Sequence, residues 1–190
     1  MTNYWEGSVV RLRAVDPADA PAHQQFNLTT DYALLDQMYP PSVLVLVEEW
    51  ATRQSRAGFS DETFSFQIES VGDGALVGHI ATQRADHRVG SFSYGISVME
   101  EHRGKGFARE AIALVLRYYF QELRYQKANV EVLEGNRASL ALHSGMGFVE
   151  EGRRRRSAYI AGEHRDMVLF GMTIEEFRDK HADYWREPPS

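Results

Sequence analysis

The chain has 190 residues, 43% of them hydrophobic and 25% charged, with a net charge of −6 and no cysteine. That length and balance support one folded domain, assigned to residues 1–186 with a flexible tail over 187–190, while the negative charge argues against general nucleic-acid binding, which needs a basic footprint. Without cysteine there is no disulfide, no thiolate zinc cage and no cysteine-bound acyl intermediate.

No apolar run approaches the roughly 20 residues a membrane span needs. The opening Met1-Thr2-Asn3-Tyr4-Trp5-Glu6 lacks a basic region followed by an apolar one, so a cytoplasmic protein with no membrane partner is expected. Ser8 to Val15 has strand composition and ends at Asp16-Pro17-Ala18-Asp19, which reads as an N-cap with proline at the first helical position. A helix is predicted from Pro17 to about Leu28, and a second from Val43 to Arg56, after the break Tyr39-Pro40-Pro41-Ser42, with Leu46, Val47 and Trp50 facing inward. The segment between these helices reads as a lid.

Three strands follow as a meander, Phe64 to Val71, Ala75 to Arg84 and Ser91 to Met99, turning near Asp73-Gly74 and between Asp86 and Gly90. Next comes Arg103-Gly104-Lys105-Gly106-Phe107-Ala108, which joins a strand to a long apolar helix. The first N–H groups of a helix have no internal acceptor and the helix dipole makes that end positive, so two glycines and two cations there suit a phosphate. The spacing fits neither the P-loop GxxxxGK[ST] nor the dinucleotide fingerprint GxGxxG. In the helix, Phe107, Ala108, Ala111, Ile112, Val115, Leu116 and Tyr119 recur at helical spacing and leave a narrow polar stripe through Glu110, Arg117 and Gln121, so it should lie deep against a sheet.

The remainder reads as a strand from Ala128 to Leu133, a helix from Arg137 to Gly145, strands Phe148 to Tyr159 and Met167 to Met172, and a last helix from Thr173 to about Tyr184. The element order gives an α+β fold with mixed sheet pairing. Asn136, Ser139 and His143 share one face of the short helix, although Asn136 serves equally well as its N-cap. In the run Arg153-Arg154-Arg155-Arg156, alternate strand residues face opposite sides, so the four cannot form one basic surface, and a solvated strand with ion pairs is favoured over contact with a substrate or a ligand phosphate.

Four ordered stretches together resemble the GCN5-related N-acetyltransferase (GNAT) superfamily, in the branch of the ribosomal-protein alanine acetyltransferases and spermidine acetyltransferases. They are Val10 to Ala14 with Asp19-Ala20, the turn fitting [QR]xxGx[GA] through Arg103, Gly106 and Ala108, the segment Asn136 to Phe148, and the closing Tyr159 to Asp166. The resemblance spans nearly the whole chain. It implies a mixed, mainly antiparallel central sheet flanked by helices, with one strand pair splayed to admit CoA. It further implies acetyl-CoA as cosubstrate with no metal, the pyrophosphate on Arg103, Gly104, Lys105, Gly106, Phe107 and Ala108, the pantetheine arm along Ile96, Ser97 and Val98, and Asn136 on the same arm.

The expected activity is acetyl transfer to a primary amine by direct attack in a ternary complex; the alternative is a non-catalytic acyl-CoA-binding sensor. An alkyl ammonium of pKa about 10.4 is only about one part in 10³ to 10⁴ neutral near pH 7, so attack needs a proton acceptor, and the leaving thiolate gains from a donor. Many relatives place a tyrosine donor where this chain has His143, leaving His143, Ser139 or unassisted departure. Where many carry a glutamate base this chain has Ser93, so base duty falls to a water chain or to another group, with Glu131, His79 and Asp86-His87 as the candidates. Asp31, Tyr32, Asp36 and Tyr39 of the lid are candidates for gripping the amine, whether of a small molecule or of a protein N-terminus. The resemblance also allows a homodimer.

Overall fold

The computed structural model describes residues 3–27, 42–56 and 62–185. Seven strands form one sheet: β1 (Val10–Ala14), β2 (Ser65–Ser70), β3 (Leu76–Asp86), β4 (Ser91–Val98), β5 (Lys127–Leu133), β6 (Val149–Ile160) and β7 (Glu163–Thr173), in the order β1-β2-β3-β4-β5-β7-β6. Every neighbouring pair is antiparallel except β4 and β5. The helices are α1 (Ala20–Asn27), α2 (Leu44–Ser55), α3 (Phe107–Arg117), α4 (Arg137–Met146) and α5 (Ile174–Lys180). No helix among the described residues is long and apolar enough to cross a membrane.

The parallel pair is short. Its register runs Ser91 with Lys127, Phe92 with Ala128 and Ser93 with Asn129, and there it stops, although β4 continues to Val98 and β5 to Leu133. The sheet is therefore two antiparallel halves held side by side at one end and parted at the other. A parallel pair requires a crossover, and α3 supplies it.

Residues Glu110 to Arg117 of α3 are all buried, and the helix packs with Val10, Leu12, Ile68, Ile80 and Phe92 of the sheet in the main core. Glu110 and Arg117 of the polar stripe seen in the sequence are thus part of the interior, while Gln121 is half-buried. Glu110 accepts hydrogen bonds from the backbone N–H groups of Ser8, Val9 and Val10 and from the Ser8 hydroxyl, at 2.7–2.8 Å. Arg117 donates to the Tyr4 carbonyl and lies 4.2 Å over the Tyr4 ring. Both residues tie the N-terminal segment to the crossover helix.

On the opposite face a smaller cluster of Val15, Ala20, Val47 and Ala51 joins α1 and α2. Leu46, expected to face inward, is 53% exposed, because the buried pair is Val47 and Ala51, one turn apart. The strand register alternates here as well: Ile68 and Ile80 enter the main core, whereas Gln67 and His79, paired across β2 and β3, face α1 and α2. His23 of α1 meets the Gln67 amide at 2.6 Å and packs edge-on against Trp50 and His79. Nearby, Arg13 bridges Asp19 and Glu69, and Asp16 with Asp19 forms a capping box on the turn Pro17–Asp19 that leads into α1.

The His79 Nε2 atom is buried and has no hydrogen-bond partner among the described residues. Burial, assisted by the neighbouring His23, holds the His79 ring down to about 4. Its proton is taken up more readily by the unfolded chain, so the stability this neutral ring contributes falls as pH drops from the ordinary histidine value near 6.5 towards 4. His79→Phe keeps the ring packing and removes the titration, and about 3 kcal/mol of the acid-induced loss between pH 8 and pH 4 should vanish with it. Urea unfolding at both pH values measures this; equal losses in the two proteins would contradict it.

Two boundaries near the C-terminus differ by about four residues from the sequence expectation. β7 begins at Glu163, four residues earlier than expected, because Ala161 and Gly162 take positive φ (52° and 84°) and close a tight hairpin that pairs Ile160 with Glu163. The last helix ends at Lys180 rather than near Tyr184, since the buried His181 ring bonds the Met146 carbonyl at 2.7 Å and the chain continues as a single turn, Ala182–Tyr184. The arginine run behaves as a solvated strand: Arg153 pairs with Glu150 and Arg154 with Glu131, and the ladder to β7 slips between Arg154 and Ala158.

Candidate active site

Where β4 and β5 part, a cavity of about 780 Å³ opens, and it runs from the glycine turn to the base of the gap. At the turn end, Gly104 and Gly106 have φ of 75° and 84°, a left-handed conformation that side chains with a Cβ rarely adopt. Gly106 is the N-cap of α3, so the first free amides of a rigidly packed helix open into the cavity beside Arg103. Arg103 is itself steadied by donating from Nε to the Val98 carbonyl at 3.2 Å.

Of the residues expected to hold a CoA-like ligand, Ile96, Ser97, Val98, Arg103, Gly104, Gly106, Phe107, Ala108 and Asn136 all line this one cavity; Lys105 does not. Asn136 is also the N-cap of α4, its side-chain oxygen accepting the Ser139 N–H at 3.0 Å. Ser139 and His143 line the same wall. Asp31, Tyr32, Asp36 and Tyr39 lie outside the described residues.

His143 is 1% exposed, and both ring nitrogens are engaged. Nδ1 lies 2.8 Å from the Ser139 carbonyl, which only accepts, so Nδ1 carries the proton and the Ser139 hydroxyl at 3.3 Å is secondary. Nε2 is then the acceptor, and at 3.0 Å it receives the Tyr94 hydroxyl proton. Burial lowers the His143 pKa and raises that of Tyr94 well above its ordinary value, so the pair is neutral in neutral solution with one proton shared between two rings. Sequence reasoning missed Tyr94. Its signal was the alternation Phe92, Tyr94, Ile96, which places its hydroxyl on the face that α4 covers.

Among the base candidates only Glu131 lines the cavity. His79 faces α1 and α2, and His87 pairs with Glu62 at 3.5 Å. Ser93, expected from the resemblance to stand in place of a glutamate, donates its hydroxyl to the Gln83 carbonyl at 3.1 Å. Glu131 is shared by Arg84, at 2.7 Å, and Arg154.

Residues 10–149 match the family model described as an acetyltransferase (GNAT) domain. The chain is 38% identical over 181 residues to the prophage-derived N-acetyltransferase YokL of Bacillus subtilis, covering 94% of this chain and 98% of that one. A spermidine N(1)-acetyltransferase of Vibrio cholerae is 33% identical over 92 residues, 48% of this chain and 53% of that protein. Among solved structures, a Vibrio cholerae spermidine N-acetyltransferase in complex with CoA and spermine shares the fold with a TM-score of 0.77 at 24% identity, over 88% of this chain and 97% of that chain. A family match over residues 10–149, a range that includes the glycine turn and the parted strands, together with a relative 38% identical over most of both lengths, means that this chain belongs to the GNAT acetyltransferase family and is an N-acetyltransferase.

Proposed function

We propose that the protein moves the acetyl group of acetyl-CoA directly to a primary amine within a ternary complex. The observation that carries this is one continuous cavity joining a helix N-terminus built for phosphate to an unpaired strand edge suited to an extended amide chain. The phosphates would rest on the amides of residues 103–108, the pantetheine arm along Ile96 to Val98 with Asn136, and the thioester near the base of the gap. The amine then attacks the thioester carbon, a C–N bond forms as the C–S bond breaks, and the proton lost by nitrogen is balanced by one gained by sulfur. Direct transfer is favoured because the chain has no cysteine and no serine in a GxSxG setting.

His143 and Ser139 are assigned to the sulfur end. With Nδ1–H committed to the Ser139 carbonyl, His143 acts through Tyr94: its Nε2 accepts the Tyr94 O–H and so holds the phenol oxygen in place, and the hydroxyl turns from Nε2 to sulfur to give up its proton. A protonated ring can no longer accept from Tyr94, so activity should fall as pH drops through the lowered His143 pKa.

Thiol release from acetyl-CoA, followed with a panel of amines, tests the reaction. Amine-dependent release in single turnover with no acetylated enzyme in the mass spectrum is expected; tight CoA binding with no amine raising release would favour a sensor. In the same assay His143→Phe should slow turnover by about tenfold or more and erase the acid limb, with little change in the KM for acetyl-CoA. An unchanged rate and pH profile would remove His143 from the chemistry.

A further inference from the structure

The base of the cavity carries a charge that the acetyl donor leaves unused. Arg84 of β3, which lines the cavity, donates from Nη1 to one oxygen of Glu131, and Arg154 of β6, which is outside the lining, donates from Nη2 to the other. Among the described residues Glu131 is the one carboxylate lining the cavity, and it is divided between two guanidiniums, which leaves this cluster of three side chains net positive within a chain of net charge −6. The two arginine side chains are 66% and 48% exposed, within reach of a ligand entering from solvent.

The phosphates of the donor do not account for this pair. Arg84 adjoins the Gln83–Ser93 register at the start of β4, whereas the glycine turn follows Val98 at its end. Five residues of strand separate them by roughly 17 Å, about twice the Debye length of about 8 Å at physiological salt. Each guanidinium has five N–H donors and spends one on Glu131, so forks remain that match a carboxylate. A polycation approaching the same place meets two like charges and a carboxylate already taken.

The absent base points the same way. Ser93 stands where a glutamate would strip the ammonium, and Glu131 is held in its ion pairs. An α-amine of pKa about 7.7–8.0 is roughly one-tenth neutral at pH 7, several hundred times the neutral fraction of an alkyl amine, and neighbouring guanidiniums lower its pKa further. Such an amine needs no strong base.

We propose that Arg84 and Arg154 form the acceptor-specificity site and that the preferred acceptor is a peptide α-amine with an acidic first side chain, not a polyamine. This rests on acetyl transfer occurring in the cavity, and its experiment separates the two. Thiol release is measured with Asp- and Glu-initiated tripeptides, a Lys-initiated tripeptide, free glutamate and spermidine, using the wild type, Arg84→Ala/Arg154→Ala and Arg84→Glu. The acidic tripeptides should have KM values at least tenfold below those of the Lys tripeptide and spermidine, with free glutamate poorer because its amine is more basic. The double alanine variant should erase that advantage while leaving the KM for acetyl-CoA unchanged, and Arg84→Glu should reverse the order.

Calorimetric binding of the N-acetylated Glu tripeptide in the presence of CoA reads the anion site without turnover. Arginine-dependent binding with no amine turned over would keep the site and sink acetyl transfer. A lower KM for spermidine or the Lys tripeptide, equal KM values, or binding indifferent to both arginines would overturn the proposal.

Discussion

Gly106→Glu is expected to weaken acetyl-CoA binding about a hundredfold or more, with only a modest fall in thermal stability. A Cβ at Gly106 meets nothing within 4 Å, so a new side chain is not crowded by the protein and projects into open space at the start of α3. It would place a carboxylate where phosphate is to sit, and like charges about 4 Å apart repel by about 4 kcal/mol at the effective dielectric of a protein surface. The positive φ of 84° adds strain of about 1–2 kcal/mol for any residue with a Cβ. Gly106→Asn separates the two effects, because asparagine tolerates that conformation and carries no charge. Calorimetric titration with acetyl-CoA should show the asparagine variant within about tenfold of wild type and the glutamate variant far weaker; wild-type affinity in both would move the phosphate seat elsewhere.

The largest loss of stability is expected at Glu110. Its carboxylate, 4% exposed, gathers three backbone N–H groups and the Ser8 hydroxyl, with the Tyr184 hydroxyl at 3.2 Å as a further donor. Burial alone would raise its pKa, but the donors from Ser8, Val9 and Val10 outweigh that and hold it below the usual glutamate value. Glu110→Gln substitutes an NH₂ for one acceptor oxygen and sets donor against donor; Glu110→Ala removes every partner. We expect losses of about 3 kcal/mol for the glutamine variant and about 4 kcal/mol or more for alanine, read from urea unfolding at pH 7. A loss below about 1 kcal/mol would mean that the N-terminal segment finds other acceptors. Since the depressed pKa favours the ionised form, this contribution is present above the ordinary glutamate pKa and is lost as pH falls through the lowered value.

How far the sequence carried the structure depended on which interactions are local. The glycine turn, the crossover helix and the cap at Asn136 are written in neighbouring residues, and they came out where spacing placed them. The parted strands entered only through family resemblance, since Tyr94 to Val98 looks like any other strand segment and the parting is a relation with residues more than thirty positions away. Glu110 looked like part of a polar stripe because its partners lie about a hundred positions earlier; the local trace was Gly7, where a Cβ would fall 2.3 Å from that carboxylate. Tyr94 and His143 were each visible, but not as a pair. Leu46 misled because five apolar residues in a row, Val43 to Val47, fit either face of a helix.

The three-rung contact between β4 and β5 also makes the sheet mechanically divided. Two antiparallel plates meet at a narrow seam, and beyond Ser93 the alternate amides of β4 that point towards β5 have no strand to bond among the described residues. Without a ligand those amides should exchange hydrogen for deuterium quickly, while their neighbours facing β3 stay protected. A pantetheine arm lying in the gap would act as a missing strand and stitch the plates together. Donor binding would then slow exchange on both sides of the seam and turn two loosely coupled units into one cooperative body.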